Sequence, residues 1–88
     1  MSTYKILRRS QVLESLGISS STLDRRINDG LFPPPVPISL RSRGWPEHEV
    51  QAILRNVIGG SEGEALRSTV SDLISKRVLY NPSESQLR

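Results

Sequence analysis

Apolar positions fall along the chain in short bursts at helical spacing, separated by glycine, serine and proline. Val12, Leu13 and Leu16 recur at the i, i+1, i+4 spacing of a buried stripe and predict a first helix over about Arg9 to Leu16. Gly17 ends it, because glycine takes the left-handed C′ conformation at little cost, and Ile18 drops into the core. Ser19 is the expected N-cap of a second helix, and Gly30 is its stop signal. Leu23 and Ile27, four apart, point inward together. At about 100° per residue Arg25 then lies nearly opposite, flanked by Ser21, Thr22, Asn28 and Asp29, with Asp24 and Arg26 on the shoulders.

Phe32 is expected to close the core beneath this helix pair. The prolines at 33, 34, 35 and 37 forbid helix and hold the next segment extended. Ile38 and Leu40 alternate as a strand with one buried face would, Arg41 to Gly44 makes a basic turn, and Trp45 begins the return. Pro46 suits the first position of a third helix, whose positive end Glu47 and Glu49 complement. That helix carries Val50, Ile53, Leu54, Val57 and Ile58 at helical spacing as far as Gly59-Gly60. Ser61 and Glu64 have the spacing of a capping box, which predicts a fourth helix with Leu66, Val70, Leu73, Ile74 and Val78 on one stripe. From Tyr80 the composition turns to that of a frayed tail.

The fold class expected is mainly α with a small β wing: a winged helix-turn-helix plus a C-terminal helix. Residues 1–60 form the DNA-binding part, 61–79 a C-terminal helix, and 80–88 the tail. One domain of 88 residues has a small core, so the helix at 61–79 either completes that core or pairs with a second copy. Cooperative binding to repeated sites is a third route to useful affinity.

Charge sharpens the picture. The net charge is +3, and all of the excess lies in residues 1–60, with eight Lys/Arg against five acids; residues 61–88 hold four of each. Basic excess on the part that looks like a DNA reader points to a polyanionic partner. The absence of cysteine excludes disulfides and thiolate metal sites. His48, the one histidine, has no second ligand at metal spacing, and no cofactor is implied. With neither a nucleophile–base pair nor paired carboxylates in apolar surroundings, no enzyme is expected. No apolar run approaches a membrane span, and the N-terminus lacks the apolar core of a secretory signal, so a cytoplasmic protein is expected.

The stretch from Ile6 to about Leu54 resembles the AlpA family of small phage and prophage regulators, relatives of excisionases and of the DNA-binding part of MerR-type regulators. The match is carried by Ile6-Leu7-Arg8, Val12, Leu16-Gly17-Ile18-Ser19, Ser21-Thr22-Leu23, Arg25, Ile27, Gly30, Phe32-Pro33, Trp45 and Glu49-Val50. Many members have a basic residue at the place of Ser20 and an aromatic at that of Asp24, so the resemblance implies a base-reading code of its own here.

The resemblance implies a transcription regulator, with an excision factor that bends attachment-site DNA as the alternative. The implied partners are double-stranded DNA, a second copy or cooperative oligomer, and RNA polymerase or integrase. A third reading makes the fold a protein-interaction module working through the stripe of the fourth helix.

The candidate DNA contacts follow from residue type and place. Arg25 can donate twice to guanine O6 and N7; its bland alternative is a bridge to Asp29 one turn on. Ser20, Ser21 and Thr22 stand at a helix N-terminus, where hydroxyls and free N–H groups suit phosphate, or simply cap the helix. Arg26 reaches the DNA backbone or covers apolar surface with its stem. Arg41 and Arg43 on the wing follow the minor groove or its phosphates, or are solvated. Arg8 and Arg9, opening the first helix, are candidate backbone contacts. Trp45 belongs to the core rather than to a stacking platform.

Overall fold

The computed structural model of the protein describes residues 5–80. Four helices and a three-stranded antiparallel sheet follow one another as β1 (Ile6–Leu7), α1 (Arg9–Leu16), α2 (Ser20–Asn28), β2 (Val36–Pro37), β3 (Arg43–Pro46), α3 (Glu47–Ile58) and α4 (Glu64–Lys76), with a 3-10 turn at Arg77–Tyr80. This is the expected class, mainly α with a small β hairpin in the place of a wing, and a helix after it.

The first two helices end and begin where their punctuation requires. Gly17 takes the left-handed conformation (φ 67°) and its N–H donates to the Leu13 carbonyl at 2.8 Å. Ser19 stays extended while its hydroxyl accepts from the Thr22 N–H at 3.2 Å, capping α2. In the sheet, β3 lies between β1 and β2, pairing Leu7 with Trp45 and Val36 with Gly44. Gly44 is the point of closest approach: a Cβ there would collide with Cγ2 of Ile6 and stand 2.7 Å from the Leu7 carbonyl oxygen. A glycine in a strand often marks such a contact.

Leu7, Val12, Leu23, Phe32, Trp45, Val50, Ile53, Leu66 and Val70 form one buried cluster. Phe32 and Trp45 meet edge to face, ring centroids 6.2 Å apart, and the indole N–H donates to the Pro33 carbonyl at 2.8 Å. The cluster draws on both sides of the Gly59-Gly60 turn, since α4 contributes Leu66 and Val70. Burying such side chains stabilises by about 1.5–3 kcal/mol each.

Four local expectations need correction. Ser61 does not cap α4: the N-cap is Gly63, and the Ser61 N–H is spent on the Asn56 carbonyl (2.8 Å), closing the turn after α3. Ile38 and Leu40 are not strand residues with a buried face. Pairing stops at Pro37, the Ile38 and Ser39 amides both donate to the Ser42 carbonyl, and both apolar side chains are exposed at the hairpin tip. Pro46 ends β3 and stands before α3 rather than inside it. On α4 the inward stripe takes Leu66, Val70 and the half-buried Leu73, while Ile74 and Val78 face out. The tail at 81–88 lies outside the described residues.

Candidate nucleic-acid interface

The exposed side of α2 is set by its buried side. Leu23 is fully buried and Ile27 packs against the core, so Arg25 is carried outward on the far side. Among the described residues no ion pair or hydrogen bond engages the Arg25 side chain; the bridge to Asp29 is not made. A guanidinium with five donors stands there in solvent.

Arg9 behaves differently. Its Nε donates to the Ser20 hydroxyl at 2.8 Å, and its Nη2 donates to the Ser20 carbonyl at 3.0 Å and to Asp24 Oδ1 at 2.7 Å. One side chain thus bolts the start of α1 to the first turns of α2. The acid on the shoulder of α2 is neutralised by Arg9, leaving Arg25 as the outward charge of the helix. Ser20 is occupied by Arg9, and Ser19 donates to the Thr22 hydroxyl at 2.9 Å and lies 3.4 Å from that of Ser21. These four hydroxyls line the N-terminal end of α2 with their positions fixed by local bonds.

Arg26 lies about 100° around the helix from Arg25. It is half-buried, its side chain lining a crevice with Leu31, Val57 and Leu66. The structure does not bring it onto the Arg25 side. Arg8 is exposed ahead of α1, its N–H donating to Gln11 Oε1 at 2.8 Å. Arg41 and Arg43 are exposed on the hairpin, Arg43 opposite Pro37, and neither has a hydrogen-bonded or charged partner among the described residues. Of the candidate contacts, Arg25 on α2 and Arg41 and Arg43 on the hairpin therefore stand exposed with no partner among the described residues.

Beneath the hairpin lies a cluster that reasoning from sequence missed. Glu49, expected to complement the positive end of α3, is completely buried. Arg77 meets it with both arms of its fork, Nε to Oε2 at 2.8 Å and Nη2 to Oε1 at 2.6 Å. The same Nη2 donates to the Pro34 carbonyl at 2.8 Å. One turn into α4, Arg67 Nε donates to the Asp29 carbonyl at the C-terminus of α2 (2.8 Å). One signal for Arg77 was present: at 100° per residue it falls in the middle of the stripe Leu66, Val70, Leu73, where an arginine requires a buried acid.

Among the described residues no helix is long and apolar enough to cross a membrane, and no group of His, Asp or Glu is placed to hold a metal ion. Comparisons with curated proteins and with solved structures give no match. The model of the family described as prophage CP4-57 regulatory protein (AlpA) matches residues 5–55, more than half of the chain and the whole of the stretch that holds α1, α2 and the hairpin, and the protein belongs to that family of regulatory proteins.

Proposed function

We propose that this protein is a sequence-specific DNA-binding transcriptional regulator acting in the cytoplasm of its host. The observation that carries the reading is Arg25, held outward on α2 with no internal partner while the neighbouring acid is neutralised by Arg9. Membership of a prophage regulatory family supplies the biological setting. On this reading α2 lies in the major groove and Arg25 donates bidentately to a guanine edge. Ser21 and Thr22 meet phosphate at the helix N-terminus. Arg41 and Arg43 follow the adjacent backbone or minor groove, and Arg8 adds a backbone contact. Arg9 and Ser20 act indirectly, by fixing α2 on α1, and the stem of Arg26 covers the crevice beside Leu31. Control of transcription would then run through RNA polymerase, which the bound protein touches or blocks.

Fluorescence anisotropy across a salt series tests this, on DNA from upstream of the gene and on a scrambled duplex. The upstream DNA should bind at least tens of times more tightly, with affinity falling steeply as salt rises. Equal and weak binding to both duplexes would overturn the reading and turn attention to a protein partner. Preference for attachment-site repeats over the upstream region, with bending of that DNA, would assign the protein to excision alongside an integrase instead.

A further inference from the structure

The hairpin is flanked on one side by Pro34, two residues before β2, and on the other by Glu49, three residues after β3 in the first turn of α3. A single guanidinium, that of Arg77, is bonded to both places. The carboxylate it meets is completely buried, and Arg77 itself is mostly covered. The same C-terminal segment reaches α2 through Arg67, which donates to the Asp29 carbonyl and lays its aliphatic chain against Gly30. Glu64–Arg77 therefore grips the end of one proposed DNA-contacting element and both roots of the other, from outside the residues matched by the family model.

We propose that α4 and Arg77 are a brace that fixes the hairpin relative to α2, with Arg77 and Glu49 as positioning residues for DNA binding. The inference rests on the DNA-binding reading above. An uncommitted hairpin loses entropy when it settles on a phosphate backbone, and pre-ordering it removes that cost from the binding step. Neither Arg77 nor Glu49 is available to touch DNA, because each is consumed by the other beneath the hairpin.

The test uses the full chain and the variant Glu49→Leu/Arg77→Met. It keeps the net charge and replaces the buried pair with apolar side chains of similar size, an exchange that buried ion pairs often tolerate. A single cooperative melt checks that the variant folds. Amide hydrogen exchange without DNA should then speed up at least tenfold for Ile38, Ser39 and the amides of β3, and change little in α1.

On operator DNA the brace variant should lose affinity as Arg41→Ala/Arg43→Ala does, with the salt dependence flattened by about two units of slope, one for each wing arginine. Combining the two sets of changes should cost little more than either alone. A folded brace variant with native exchange at the hairpin overturns the brace. So does one that binds as wild type, or one whose loss multiplies in full with that of the wing variant. If wild type shows no preference for operator DNA, the DNA-binding reading falls, and the exchange experiment alone decides whether the hairpin is braced.

Discussion

The arginines of the outer surface and those of the underside have the same chemistry and opposite circumstances. Arg25, Arg41 and Arg43 extend into solvent with no ion pair among the described residues, whereas Arg67 and Arg77 spend their donors on the carbonyls of Asp29 and Pro34 and on Glu49. An arginine whose fork is filled from within belongs to the architecture. One left open on a surface element is ready for a polyanion. Arg9 stands between the two cases: it sits at the edge of the proposed interface, yet its three bonds go to α2. Position on the surface alone therefore does not identify a contact; the absence of an internal partner is needed as well.

The contrast can be broken by removing one member at a time. The largest effect is expected for Arg77→Ala, which strands a buried carboxylate and should cost about 3–5 kcal/mol of stability in chemical denaturation. A loss below about 1 kcal/mol would mean that Glu49 finds water or another donor. Leu66→Ala removes the anchor of α4 and is expected to cost about 2–5 kcal/mol, measured by the same denaturant titration. A neutral result there would separate α4 from the core. Arg25→Ala should lose about 1–3 kcal/mol of operator binding while its melting temperature stays put, which places the residue on the open side of the comparison. Smallest is Asp24→Asn, which breaks an exposed ion pair and should change stability by about 1 kcal/mol or less. Its more informative readout is non-specific DNA affinity, which should rise slightly as the acid paired with Arg9 loses its charge.

Elements bounded by local chemistry were legible in the sequence. Gly17 and Ser19 mark the step from α1 to α2 because each acts on backbone groups within a turn of itself. The aromatic core was legible as well, since Phe32 and Trp45 are too large and apolar to leave outside. Misreadings arose where two local signals competed. Ser61-x-x-Glu64 has capping-box spacing, yet Gly63 between them supplies the actual cap, and the Ser61 amide serves α3 instead. Ile38 and Leu40 alternate like strand residues, but the Ile38 and Ser39 amides converge on the Ser42 carbonyl and make that segment the turn.

The brace was illegible for a different reason. Arg77 and Glu49 are separated by 28 residues and joined only once α4 has docked, so nothing in the neighbourhood of either residue announces the other. At the candidate interface, the outward position of Arg25 followed from helical periodicity. The engagement of Arg9 with Asp24 required the packing of α1 on α2, which no single-helix argument contains.

Trp45 is the chain's one tryptophan, and it is sealed between Phe32 and the Pro33 carbonyl at the hinge of hairpin and core. The molecule thus carries its own optical probe. Emission excited at the indole band should be blue and weakly quenched by iodide in the native state, and should move red in one step when the core opens. Because Trp45 is the β3 residue that pairs with Leu7 of β1, a change of colour without loss of helical dichroism would report the sheet coming away while the helices still stand.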